Sequence, residues 1–153
     1  MQVSFYHLTR LSLEKSLPKL LEKVLAQGLR AVVVTETEGQ TQVLNDVFWT
    51  YHPTSFLPHG TDKEGRASDQ PIWITPKIEN PNGAQILVLT TLQERENFEG
   101  FSRILYMFDG NQKEDLEKAR VLWRAHKGKN HGLTYWQQDK EGKWVSQEQV
   151  QGS

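Results

Sequence analysis

The sequence predicts an α/β fold built around a mostly parallel sheet. Residues 3–7 form a first strand candidate, and apolar residues at 13, 17, 20, 21, 24 and 25 then recur at helical spacing. The run Ala-Val-Val-Val-Thr at 31–35 is typical of a buried parallel strand. A weaker helical pattern spans 43–48. The resulting β-α-β-α order is the signature of an α/β domain.

The first helix has an identifiable end and an ambiguous beginning. Ser12 is expected to cap it by accepting a bond from a free backbone N–H, and Gly28 is a plausible C-terminal stop. Pro18 does not suit a helix interior. Either the regular helix begins near Leu17, with Pro18 in its first turn, or it is kinked there.

The rest of the chain predicts further strands, one more helix and two turn-rich segments. Residues 49–66 read as a long loop because they contain two prolines and two glycines. We predict strands over 71–75, 85–90 and 103–108, a helix over 113–127, and a C-terminal hairpin with Gly142 in its turn. Residues 1–128 are expected to form the α/β domain, and 129–153 an extension belonging to the same domain.

The amino-acid composition excludes several kinds of functional site. The 153 residues carry a net charge of −1 and include no cysteine, which excludes disulfides, thiolate nucleophiles and cysteine-based zinc sites. Proteins that bind DNA directly usually contain more basic than acidic residues. The sequence shows neither an apolar run of membrane-spanning length nor a signal-peptide layout. We therefore expect a cytoplasmic protein without a membrane partner, and DNA is not favoured as its primary ligand.

No motif points to catalysis or to a cofactor. The sequence lacks G-x-G-x-x-G after a strand, a P-loop and a G-x-S-x-G elbow. His126 and His131 are five residues apart, which is not the helical spacing of a metal pair. We expect no enzyme activity, no cofactor and no metal site. A nucleotide enzyme or hydrolase on the same scaffold stays open, and would need a phosphate-binding loop.

Two segments suggest binding. Residues 48–60 read FWTYHPTSFLPHG, four aromatics and two prolines in thirteen residues. Either these side chains complete the core and stiffen the loop, or they form an apolar interface patch. On the last helix a basic face forms around a tryptophan, and consists of Lys113, Arg120, Trp123, Arg124 and Lys127.

The basic face also has two interpretations. It can be an ordinary solvated surface with Trp123 partly packed, while Leu116, Ala119, Leu122 and His126 face the core. It can instead bind an acidic peptide that carries an apolar residue, because arginine offers forked donors to carboxylates and tryptophan supplies apolar area. Direct binding of single-stranded nucleic acid through the same surface is a third possibility.

These segments resemble the chi subunit family of bacterial DNA polymerase III. The start SFYHL, the loop FWTYHPTSFLPHG and the stretch ARVLWRAHKGKNHGLTYWQQD are similar to the family's first strand, its S-F-[LV]-P-H signature and its A-R-x-x-[YW]-[KR]-x-[YH] helix. The likeness implies one Rossmann-like domain with helices on both faces of a mostly parallel sheet. It also implies a non-catalytic role in DNA replication.

The resemblance implies partners and site residues as well. Chi proteins pair with the psi subunit, which links them to the clamp-loader complex. They also bind the acidic C-terminal tail of single-strand DNA-binding protein, so they contact DNA only indirectly. The residues implied for the tail are Arg120, Trp123, Arg124, Lys127, Gly132 and Leu133. The candidates for psi are Trp49, Tyr51, Pro53, Phe56, Pro58 and His59. His126 departs from a commoner tyrosine.

Overall fold

One sheet organises the chain. The computed structural model describes residues 1–9, 11–52, 57–92, 100–141 and 143–146. Within them the elements are β1 (Gln2–Leu8), α1 (Leu13–Ala26), β2 (Ala31–Val34), α2 (Glu38–Thr50), β3 (Ile72–Thr75), β4 (Ile86–Leu89), β5 (Arg103–Asp109), α3 (Lys113–Gly128), β6 (Gly132–Gln138) and β7 (Trp144–Ser146). The strand order is β3-β2-β4-β5-β1-β6-β7.

The predicted α/β class is confirmed. Every neighbouring pair of strands is parallel except β6–β7, which is antiparallel. Leu17 and Leu21 of α1 and Phe48 of α2 lie in the apolar cluster on one face of the sheet. Leu122 and Trp123 of α3 lie in the cluster on the other face. Helices therefore cover both faces, as in a Rossmann-like fold.

The structure excludes one of the two predicted forms of α1, and the predicted side-chain cap is wrong. The helix begins at Leu13 and continues through Pro18, so it does not start near Leu17. Ser12 occupies the N-cap position, but its side chain makes no capping hydrogen bond. Pro18 cannot donate to the carbonyl of Glu14, yet its ring is buried on the same side as Leu17 and Leu21. The burial of this apolar face outweighs the loss of one backbone bond. Gly28 follows the helix with φ +74°, as a C-terminal stop requires.

The predicted C-terminal hairpin forms, although Gly142 lies outside the described residues. β6 and β7 pair antiparallel, with Gln138 opposite Trp144. Unexpectedly, β6 also pairs in parallel with β1, placing Tyr135 beside Phe5. The β6–β7 hairpin is thus part of the main sheet. None of the helices in the described part of the chain combines the length and the apolarity needed to cross a membrane.

Candidate binding cleft between α3 and β6

The helix α3 lies on the sheet by its apolar side. Ala119, Leu122 and His126 are buried, as the sequence predicted, and Leu116 packs against the same cluster. Helical geometry turns residues four apart to one side, so Arg120 and Arg124 form a row beside this buried stripe. Both arginines are exposed.

The neighbouring strand β6 presents alternate residues toward α3. Side chains alternate between the two faces of a strand, so Leu133, Tyr135 and Gln137 share one face. The parallel register sets Tyr135 beside Phe5 and Gln137 beside His7 of β1. A cleft of about 540 Å³ lies between α3 and this surface. Its lining residues are His7, Leu116, Ala119, Arg120, Trp123, Arg124, Tyr135 and Gln137.

Tyr135 is the centre of the aromatic wall of this cleft. Its ring stacks on Phe5 with the centroids 6.3 Å apart and the planes at 15°. Trp123 meets it edge-on at 6.0 Å, and Phe108 meets it edge-on at 6.2 Å. Packing on three sides fixes the ring while leaving it partly exposed, so the cleft offers a rigid apolar surface.

Trp123 is more deeply buried than a residue making the principal ligand contact would be. Only 5% of it is exposed, and its ring packs against Phe5 at 5.5 Å. Its indole Nε1 is buried and has no hydrogen-bond partner in the part of the chain that the structure describes. Trp123 therefore serves mainly as core, and the larger exposed aromatic area of the cleft comes from Tyr135.

The cleft carries positive charge at its edge. Among the described residues, the one salt bridge within 4.0 Å joins Lys143 and Glu141, so neither Arg120 nor Arg124 is neutralised by a carboxylate in that range. Burial raises the pKa of Tyr135 to about 12, and the nearby Arg120 guanidinium opposes this rise. Tyr135 is therefore neutral at neutral pH, and the electrostatic character of the cleft comes from the two arginines.

His7 lies beneath the cleft and hydrogen-bonds to Tyr135. Its Nδ1 lies 2.8 Å from the Tyr135 hydroxyl. Burial lowers the pKa of His7, and a hydrogen bond to the Gly110 backbone and the charge of Asp109 partly oppose this. The hydrogen bond between His7 and the Tyr135 hydroxyl ties β1 to the aromatic wall of the cleft.

The structure brings together half of the residues assigned to the tail. Arg120, Trp123 and Arg124 line the cleft. Leu133 lies on the same face of β6 and packs against the core there. Lys127 is exposed in the last turn of α3 and Gly132 begins β6, and neither lines the cleft.

Sequence reasoning missed three lining residues, His7, Tyr135 and Gln137. The alternation in LTYWQ would have placed Tyr135 and Gln137 on one face with Leu133. The sequence contains no signal that β6 lies next to β1, which is what brings His7 to the same cleft.

The residues assigned to psi are spread between surface and interior. Trp49 is 55% exposed at the end of α2. The Tyr51 hydroxyl donates to Glu22 of α1, and Pro58 is half-buried. Pro53 and Phe56 lie outside the described residues. The end of α2, with Trp49, is on the face of the sheet opposite the α3 cleft, because α2 packs there.

His59, one of the residues assigned to psi, is buried and hydrogen-bonded. Only 7% of it is exposed, its Nδ1 lies 2.6 Å from the Leu57 carbonyl and its Nε2 lies 2.9 Å from Asn45 Oδ1. Its ring packs edge-on against Phe48 at 5.4 Å and lies 5.0 Å from Trp49. His59 is therefore buried behind Trp49, whose own ring remains exposed.

His126 and His131 form a hydrogen-bonded pair. The Nδ1 atoms of His126 and His131 are 2.9 Å apart, and His126 Nε2 lies 2.9 Å from the Tyr106 hydroxyl. The described residues contain no group of three or more histidine, aspartate or glutamate side chains placed to hold a metal ion. The pair therefore serves as a hydrogen-bonded link between α3 and β6.

Comparison with known proteins decides the family. A family model described as DNA polymerase III chi subunit, HolC, matches residues 1–134. The chain belongs to this family. It is also 29% identical over 150 residues to the probable DNA polymerase III subunit chi of Rickettsia prowazekii (strain Madrid E), a match that covers 94% of this chain and 90% of the relative.

Family membership confirms the resemblance seen in the sequence. It makes the chain an accessory subunit of DNA polymerase III, acting in DNA replication. The matched region ends at residue 134, just before Tyr135 and Gln137 of the cleft. The family match therefore covers the two arginines and Trp123, but not the aromatic wall contributed by β6.

Proposed function

We propose that this chain is a non-catalytic adaptor that captures the acidic C-terminal tail of single-strand DNA-binding protein in the α3–β6 cleft. The observation that supports this most strongly is the cleft itself, in which Arg120 and Arg124 lie beside a rigid aromatic wall centred on Tyr135. A peptide that ends in a carboxylate after an aromatic residue has both complementary features.

Capture would take place in two steps. Arg120 and Arg124, which form no salt bridge with the described residues, attract an acidic, disordered segment and accelerate its association. One guanidinium then holds the terminal carboxylate through charge-assisted hydrogen bonds, while the apolar residue packs on Tyr135 between α3 and β6. Ordering a flexible peptide is costly, so the expected affinity is micromolar, about −8 kcal/mol.

The second half of the adaptor role is attachment to the clamp-loader complex through psi. The exposed Trp49, supported by His59, is the best candidate contact because large exposed aromatics act as interface anchors. α2 and α3 cover opposite faces of the sheet. One molecule could therefore hold psi and the tail at the same time, and several tails on one oligomeric partner would add avidity.

Peptide titration tests the tail site. A fluorescent peptide matching the last ten or so residues of the cognate single-strand DNA-binding protein should bind, and a peptide without the terminal phenylalanine should bind much more weakly. Arg124→Ala should cost about 1–3 kcal/mol by removing a charge-assisted bond, which is roughly a 5- to 150-fold loss of affinity. Affinity should also fall as salt rises.

The matched control is Lys118→Ala, which removes an exposed cation from the same helix but not from this cleft. It should bind the peptide like the unaltered protein. Normal peptide binding by a folded Arg124→Ala variant would contradict the assignment of the tail-binding site to this cleft. Equal losses in the two variants would mean that net charge, rather than the cleft, determines binding.

Co-purification tests the psi surface. Trp49→Ser should release psi and the clamp-loader subunits while leaving peptide affinity unchanged. Val43→Ser, which alters another exposed apolar side chain of α2, is the control and should retain psi. Retention of psi by both variants would show that psi contacts a different surface of the protein.

A further inference from the structure

A second groove lies on the sheet face opposite the cleft, between α1 and strands β1, β5 and β6. Its volume is about 350 Å³. Ser4, Tyr6 and Trp136 line it, whereas Phe5 and Tyr135 of the same strands face α3. Side chains alternate along a strand, so the two sites share strands without sharing any side chain.

The groove is positively charged. Lys23 of α1 and Arg103 of β5 line it, and no aspartate or glutamate does. Both are exposed, and neither forms a salt bridge within 4.0 Å among the described residues. In a chain with a net charge of −1, this local excess of cations is complementary to an anion.

The base of the groove is aromatic and rigid. The rings of Tyr6 and Trp136 lie side by side across β1 and β6, with centroids 6.2 Å apart and planes at 12°. Trp144 of β7 meets Tyr6 edge-on at 5.0 Å. The ring of Trp136 remains partly exposed. Such a surface suits a flat, π-rich ligand.

Hydrogen-bonding groups surround these rings. Gln2, Ser4, Gln27 and Thr134 also line the groove. Amides and hydroxyls can both donate and accept, so they suit the edges of a nucleobase without demanding one particular base.

We propose that this groove binds single-stranded DNA, with one base against Trp136 and the flanking phosphates at Lys23 and Arg103. Unpaired bases expose their faces for stacking, whereas those of a duplex are covered by their neighbours. The volume admits about one nucleotide, and two cations reach about two phosphates, so the site is weak alone. It does not depend on the tail site.

Oligonucleotide binding at low salt tests this proposal. Fluorescein-labelled decathymidylate should bind, and its affinity should fall about tenfold in Lys23→Glu and in Arg103→Glu. The logarithmic salt dependence should have a slope of about −1.4 for two phosphates and lose about 0.7 in each variant. Trp136→Leu should weaken binding by about tenfold, and Trp136→Phe should restore most of it.

Matched controls make the result decisive. Lys77→Glu makes the same charge change at an exposed position outside the groove and should change affinity by less than about twofold. Arg124→Glu, in the α3 cleft, should abolish peptide binding and leave oligonucleotide binding largely intact. Failure of this proposal and failure of the tail proposal are thus distinguishable.

Four outcomes would overturn the groove assignment. Unchanged affinity in both groove variants would do so, as would an equal loss in Lys77→Glu. If Arg124→Glu alone abolished oligonucleotide binding, the DNA would contact the α3 cleft instead. Equal affinity for thymidine monophosphate and decathymidylate would show that a strand is not the preferred ligand.

Discussion

Acid should destabilise this protein through the buried His126. Its ring lies at the end of α3, bonded to Tyr106 on one side and to His131 on the other. Burial lowers the pKa of His126 from 6.5 to about 4, and the charges of His131 and Lys129 act in the same direction. The neutral ring is therefore strongly preferred in the folded state.

The sign and size of the effect follow from proton linkage. Above about pH 6.5 His126 is neutral in both states, so its titration does not affect stability. Below that, the unfolded chain takes up a proton that the folded protein takes up only near pH 4. The free energy of unfolding then falls by up to about 1.4 kcal/mol per pH unit, about 2 kcal/mol by pH 5 and about 3 kcal/mol in all.

Urea unfolding followed by tryptophan fluorescence at about pH 7.5, 6 and 5 measures this loss. His126→Gln cannot titrate, so its stability should fall less steeply between pH 6.5 and 5 than that of the unaltered protein, although it should be less stable at neutral pH. His52→Gln replaces an exposed histidine and should retain the original profile. Parallel profiles for His126→Gln and the unaltered protein would refute the reasoning.

Three further substitutions test the framework around the sites, each by urea unfolding. Gly110→Ala would direct its Cβ into the His7 ring. We expect a loss of about 1–3 kcal/mol and weaker peptide binding, and an unchanged cleft would contradict the support role of His7. Gln138→Leu should cost about 2 kcal/mol or more, because the Gln138 Oε1 accepts from two backbone N–H groups of the β1–α1 connection. Thr37→Ala should cost about 1 kcal/mol by removing the N-cap bond from the Gln40 N–H, and Thr37→Ser should restore it.

Most of the elements were predictable because their signals are local. Runs such as residues 31–35 and 104–108 can bury all their side chains only as interior strands, and β2 and β5 form there. The spacing of Leu17, Leu21 and Val24 determines a helix face, and that face is buried. Local rules failed at the start of α1, where packing of an apolar face retained Pro18 inside the helix.

The candidate site was only partly predictable for the same reason. The family resemblance and helical spacing located Arg120 and Arg124 on one side of α3, and both line the cleft. Spacing did not indicate that Trp123 would be 5% exposed. Loop composition likewise could not show that His59 turns inward while Trp49 remains outside.

The sequence by itself determined the elements, the charge pattern of α3 and the family. Only the tertiary structure decided which strands are neighbours. Tyr135 meets Phe5 because β6 pairs in parallel with β1, and this pairing creates both the aromatic wall of the cleft and the ring surface of the second groove. Helix and strand periodicity reflects sterics and burial over a few residues. Strand neighbours depend on the summed packing of residues far apart in the chain, which no short pattern records.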